Sequence, residues 1–180
     1  MTTLQEQFKK DHSDKNTKII SACGKYLDTK FTNRDLDLSE YKNLQSLNLA
    51  NNKLTSVDFL NTIANPKKLE ELWIYNNNIQ STSIEIFGKF TNLRYLKIGT
   101  MKSGLSRCEY NKFYGSLESY RNLTKLESIC IEATDVNEGL EFLPFGVKKL
   151  PKVDCQPNGT DAKCSIIQEQ LRPYDYDIHA

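Results

Sequence analysis

Five stretches of the chain repeat one arrangement of apolar positions. Leu44, Leu47, Leu49 and Leu54 bracket Asn52 in LQSLNLANNKL, and Leu69, Leu72, Ile74 and Ile79 bracket Asn77 in LEELWIYNNNI. Leu93, Leu96 and Ile98 open a third copy in LRYLKIGTM. A fourth, LESICIEATDV, carries Leu126, Ile129, Ile131 and Val136 with Thr134 in the asparagine's place. Leu150, Val153, Cys155 and Asn158 make a fainter fifth, and successive starts are separated by 25, 24, 33 and 24 residues. Apolar residues two apart point to one side of an extended strand, and the leucine three residues earlier enters the same core from the preceding bend. Asn52, Asn77 and Asn158 fall where the chain must turn away, and an inward amide there satisfies loop backbone groups stranded from water. Thr134 offers a hydroxyl for part of that task. Met101, in the third copy, offers nothing, so that copy is the irregular one.

Between these stretches the period changes. Val57, Leu60, Ile63 and Ala64 have helical spacing, stopped by Pro66. Ile84, Phe87, Phe90 and Leu93 recur every three residues, which suits a turn or two of α- or 3₁₀-helix, and Leu140, Leu143 and Val147 behave alike. Strand on one side and short helix on the other makes a stack of such units curve. Upstream, Leu36 and Leu38 predict a strand pairing with the one at 47–49, while Ile19, Ile20, Cys23, Tyr26 and Leu27 predict an amphipathic helix over the first edge. Downstream, Thr160 or Asp161 is placed to N-cap a helix through TDAKCSIIQEQL. Its Ala162, Ile166, Ile167 and Leu171 shut the core, and Pro173 ends it. The organisation expected is a polar segment and helical cap over 1–32, repeats over 33–159, and a helical cap with tail over 160–180. The tail PYDYDIHA has no closing element, and a segment of a longer architecture is expected.

The motif L-x-x-L-x-L-x-x-N with a period in the twenties resembles the leucine-rich repeat. That resemblance implies an α/β solenoid, a short curved horseshoe with parallel strands on its concave face, short α- or 3₁₀-helices on its convex face and helical caps at both ends. FLNTIANPKKLEELWIYNNNI and NKFYGSLESYRNLTKLESICIEATDVNEGLEFLP are similar to segments of the expanded leucine-rich repeat families of filamentous soil fungi, a likeness that runs from about Leu36 to Leu171. It implies a recognition module and names no ligand. Such arrays often sit beside kinase-like modules, but no glycine-rich loop, lysine strand or H-R-D motif occurs here. Some leucine-rich repeat proteins stimulate GTPases, and Arg107 is the candidate arginine for that activity.

Composition narrows the partners. Lys and Arg number 24 against 23 Asp and Glu, so no basic field draws nucleic acid or anionic lipid. No apolar run reaches the ~20 residues of a membrane span. The start, MTTLQEQFKKDHSDKNTK, lacks the apolar stretch of a secretory signal. The sequons at Asn122 and Asn158 then read as accidental. Five cysteines, an odd number without clustered spacing, also favour a cytoplasmic location.

With the repeat leucines inward, alternate strand positions face out on the concave side: Asp35 and Asp37; Ser46 and Asn48; Glu71, Trp73 and Tyr75; Tyr95 and Lys97; Ser128, Cys130 and Glu132; Lys152 and Asp154. The chain's single tryptophan falls in this set. Trp and Tyr dominate interface hot spots, and the repeat needs neither here. The partner-binding candidates are therefore Trp73, Tyr75, Tyr95, Lys97, Glu71, Asn48 and Glu132. The competing reading has Trp73 and Tyr95 stacked on each other to shield the sheet. The acidic members either select a basic partner or form a solvated face. The long third unit, with Arg107, Tyr110, Phe113 and Tyr114, is a second surface, although Phe113 and Leu117 suit the core.

Catalysis finds little footing. His12 and His179 sit near opposite ends, Cys130 has no histidine beside it, Cys155 fills a leucine position, and no Cys/His cluster has zinc spacing. The reading is a non-catalytic, monomeric module without cofactor or metal, binding a protein or peptide on the concave face. The alternative is a regulatory or adaptor segment, GTPase-activating or kinase-associated, of a longer signalling protein.

Overall fold

A computed structural model describes residues 4–25, 36–105, 110–148 and 152–175. Asp35, Arg107, Tyr26, Leu27 and the tail with His179 lie outside the described residues. In chain order the elements are α1 (Leu4–Asp11), β1 (Ile19–Ser21), β2 (Ser46–Asn48), β3 (Glu71–Trp73), β4 (Thr82–Ser83), β5 (Tyr95–Lys97), α2 (Lys102–Leu105), β6 (Phe113–Ser116), β7 (Ser128–Cys130), β8 (Asp135–Glu138), β9 (Val153–Asp154) and α3 (Cys164–Asp175). The strands form a six-stranded sheet in the order β1-β2-β3-β5-β7-β9 and a three-stranded sheet β4-β6-β8. Every pairing is parallel.

The middle residue of each strand explains the large sheet. Ile20, Leu47, Leu72, Leu96 and Ile129 are paired in register and fully closed off from solvent, as is Val153 beside Ile129. The next apolar position, Leu49, Ile74, Ile98 and Ile131, continues the same core. Short 3₁₀ turns over Asp58–Thr62, Ile84–Phe87, Leu117–Tyr120 and Leu140–Phe142 run along the other side. They bury Phe59, Leu60, Ile84, Phe87, Leu117, Tyr120 and Leu140 against the strands. The helical spacing takes the 3₁₀ form of the two expected, and Pro66 opens a further turn, Pro66–Lys68, from its first position instead of stopping one. The three-stranded sheet just before these turns carries no alternation strong enough to predict it.

An asparagine spine ties the rungs together. The Asn52 amide donates to the carbonyls of Ala22 and Leu49, each at 3.0 Å. Asn77 donates to Leu49 and Ile74 at 3.0 and 2.9 Å, and its Oδ1 accepts from the Leu54 amide at 3.0 Å. The third unit does have its asparagine. Asn111, beyond the insertion, donates to Ile74 and Ile98 at 2.9 and 2.8 Å and accepts from the Ile79 amide at 3.2 Å. The signal was present: Asn111-Lys-Phe113 repeats the Asn-x-apolar step of Asn52–Leu54 and Asn77–Ile79. Thr134 reaches only the Ile131 carbonyl, at 2.7 Å, so the spine ends there. Asn158 is not an inward asparagine. It takes the left-handed backbone position that Asn51, Asn76 and Ala133 occupy one residue earlier in their motifs.

Further expectations are corrected. Residues 19–21 are a strand, not part of a helix, because Ile20 and Ala22 are buried while Ile19 and Ser21 are exposed, the period-two pattern of the repeat itself. Leu36 and Leu38 are buried but form no strand, so β2 pairs with β1 instead. The N-terminal cap is α1: Phe8 packs edge-on against Tyr41 at 6.0 Å, and Gln5 brackets the Asp37 backbone with bonds of 3.0 and 2.8 Å. At the other end α3 runs through Pro173 to Asp175, since a proline in the last turn forfeits only one helical bond. Its inward stripe is Cys164, Ile167 and Leu171, while Ile166 is exposed.

Leu72→Ala is expected to destabilise by roughly 2–5 kcal/mol in chemical denaturation, through the cavity it leaves between rungs. Asn111→Leu should cost about 3 kcal/mol by orphaning two carbonyls and the Ile79 amide. Unchanged stability for that variant would show that Asn111 is not a structural tie.

Candidate functional site

Strand pairing aligns the outward side chains in columns. Ile19, Ser46, Glu71, Tyr95 and Ser128 form one, and Ser21, Asn48, Trp73, Lys97, Cys130 and Asp154 the next. Backbone bonds from Asn51 to Tyr75, Asn76 to Gly99, Thr100 to Glu132 and Ala133 to Gln156 continue the alignment past the strands. Asn48, Glu71, Trp73, Tyr75, Tyr95 and Lys97 are all half-buried: held by neighbours, yet open on one side.

At the centre, the Lys97 ammonium lies 5.5 Å from the centroid of the Trp73 ring. The Trp73 indole N–H is closed off from solvent and has no acceptor. Tyr95 is not stacked on Trp73. Paired across the sheet with Glu71, it donates its hydroxyl to Glu127 at 2.6 Å, and Arg94 lies 5.3 Å from its ring while binding Glu127 at 2.7 Å. The bond to Glu127 raises the Tyr95 phenol pKa, and Arg94 lowers that of Glu127. Ser46 donates to Glu71 at 2.7 Å. Burial raises the Tyr75 phenol, with Cys23 adding to the effect.

Beside Tyr75 the insertion is anchored. Asn76, fully buried, donates to Asn51 at 2.9 Å and to Ser103 in α2 at 3.1 Å, and its Oδ1 accepts from the Met101 amide at 2.8 Å. Gly104 packs so closely on the Asn76 amide that a side chain there would collide with it. Tyr110 and Tyr114 are exposed, while Phe113 and Leu117 are core.

A family model described as Leucine Rich repeats (2 copies) matches residues 42–82, the stretch that holds β2 and β3. With the parallel strands and short 3₁₀ turns, the fold is that of a leucine-rich repeat solenoid. No curated protein matches the chain. Within the leucine-rich repeat fold, the matched stretch supplies Asn48, Glu71, Trp73 and Tyr75, while Tyr95, Lys97 and Glu132 come from later rungs. No helix among the described residues is long and apolar enough to cross a membrane.

The far end of the concave face departs from expectation. Cys130 and Glu132, placed by the repeat at outward positions, are only 3% and 8% exposed. Glu132 follows the close approach of Gly99, whose missing side chain leaves room for the Glu132 backbone. The Cys130 sulphur and the carboxylates of Glu132 and Asp154 lie within 4.8 Å of one another. Asn158 donates to Glu132 Oε2 at 2.6 Å and to the Thr100 carbonyl at 3.1 Å, bracing this corner. Burial, and then the neighbouring Asp154, push the Glu132 carboxyl up to about 7, and burial pushes the Cys130 thiol up to about 12. Cys130 is thus a protonated wall of the site, and Glu132 is no freely exposed acid. Sequence spacing could not report this, because it places the Cβ but not the neighbours that close over it.

The Glu132 shift has a consequence for stability. A carboxyl raised from 4.5 to about 7 on folding holds its proton more tightly in the native state. Its stabilising effect is complete below pH 4.5 and is lost as pH rises towards 7. Urea denaturation should show stability falling across that window by about 3 kcal/mol. Glu132→Gln should flatten the slope, and an unchanged slope in that variant would assign it to another group.

Proposed function

We propose that this chain is a non-catalytic recognition module that docks a protein or peptide on its concave face, around Trp73, Tyr75, Tyr95 and Lys97, with Glu71 and Asn48 at the border and Glu132 at the far edge. Leucine-rich repeats generally mediate protein–protein interaction, and stacked repeats create an extended concave surface suited to it. The observation that carries the reading is the half-open Trp73–Lys97 pair in the middle of a parallel sheet. The ring's hydrocarbon is partly wet, and its N–H lacks an acceptor, although the repeat asks for no aromatic residue there. Covering such a ring removes apolar area from water at about 25 cal/mol per Å². Tyr95 is already fixed by Glu127, so little side-chain freedom remains to be lost when it is covered.

The basic-partner reading of the acidic residues weakens. Glu71 and Glu127 already accept hydrogen bonds from neighbours, and Glu132 is largely enclosed. The module is proposed to work as a cytoplasmic monomer.

Affinity capture with wild type and Trp73→Ala in parallel tests this. Partner binding should be lost in the variant, with thermal stability retained to within ~1 kcal/mol. Finding no Trp73-dependent partner, or a large loss of stability, would turn Trp73 into a packing residue and remove the docking surface.

A further inference from the structure

Lys97 stands between two unlike neighbours. On one side its ammonium is 5.5 Å from the Trp73 ring centroid. On the other, its register partners run through Cys130 to Asp154, with Glu132 two residues beyond Cys130 and therefore on the same side of the chain. The groups that face Glu132 are Asp154 from the next rung, Cys130 from its own rung, Lys97 from the preceding rung, and the neutral amide of Asn158. Two carboxylates this close, one of them enclosed, resist carrying two charges at once and hold a proton between them. When that proton leaves, a second negative charge appears on the flank of Lys97.

We infer that the concave face is proton-linked: the Glu132–Asp154 pair, by gaining or losing one proton, sets how the Lys97 ammonium is shared between the Trp73 ring and the carboxylates. This rests on reading the face as a docking surface, which it supplies with a control. With the pair protonated, Lys97 stays over the indole and offers its charge to a partner. With the pair ionised, the added negative charge on the neighbouring rung competes for the ammonium, since a full charge attracts it more strongly than a half-solvated cation–π contact. The Cys130 thiol, held protonated through the neutral range, takes no part in this exchange. Asn158 transmits the change to the Thr100 carbonyl, at the turn that follows β5.

Trp73 is the chain's only tryptophan, so its emission reports this corner without a partner present. The full chain, titrated from about pH 5 to 9, should show a one-proton change in emission with its midpoint near 7. Glu132→Gln should abolish the transition. Asp154→Asn, a second variant in case the first does not fold, should move it down by about one pH unit or more. Lys97→Met should flatten the emission titration while the Glu132 carboxyl still titrates by carbon-13 NMR, which separates the reporter from the proton site. A flat wild-type curve, or a transition that persists in Glu132→Gln, overturns the linkage. Neither result touches the docking reading, which stands or falls on Trp73-dependent capture.

Discussion

Each short strand of the large sheet ends where the chain bends away from it, and the carbonyls exposed by that bend have no strand partner. An asparagine amide from the following turn collects two of them, one from its own rung and one from the rung before. Because each amide bridges neighbours, the rungs are fixed in translation as well as in spacing. The apolar L-x-L residues can then fill one continuous core. Unsatisfied, those buried carbonyls would cost more than a leucine contact gains. The spine thus sets where the outward residues of the rungs from β1 to β5 must sit.

The insertion in the third unit shows how strong that constraint is. Roughly ten extra residues enter between Thr100 and Asn111, yet the chain returns an asparagine to the same place and bonds it to the same two classes of carbonyl. The extra length is pushed outward as α2 and pinned through Asn76 to Ser103 and Met101. It lies beside Tyr75 without displacing β3 or β5, which remain in register. A surface loop thus gains length at little cost to the core, and the concave face gains a fixed rim.

On that face the two halves differ in physical character. The half around Trp73, Lys97 and Tyr95 is half-open, with aromatic area and an indole N–H that lacks an acceptor. The half around Cys130, Glu132 and Asp154 is enclosed, and its carboxyl keeps its proton up to about pH 7. The boundary between them is Lys97. On the docking proposal, the surface is bordered by a carboxyl that its enclosure holds protonated further up the pH scale than a uniformly exposed acidic face would be.

The order and inward identity of β2, β3, β5, β7 and β9 were legible in the chain, since a period of two within a period in the twenties admits few other folds. The outward set was legible too: Trp73, Tyr75, Tyr95 and Lys97 stand half-exposed where the alternation puts them. β1 was harder to see, because its Ile20-x-Ala22 carries one small residue where the other rungs carry two large ones. Asn111 was hidden by the insertion that moved it out of register. What only the folded chain decided is which outward residues stay open. Gly99 lets the Glu132 backbone come close, Asn158 swings its amide onto the Glu132 carboxylate, and Asp154 arrives from the next rung. Those three contacts join residues drawn from separate repeats, Asn158 lying 26 positions from Glu132, so no local pattern could announce them. Alternation determines the direction of a side chain, while burial and charge depend on which other parts of the chain meet it there.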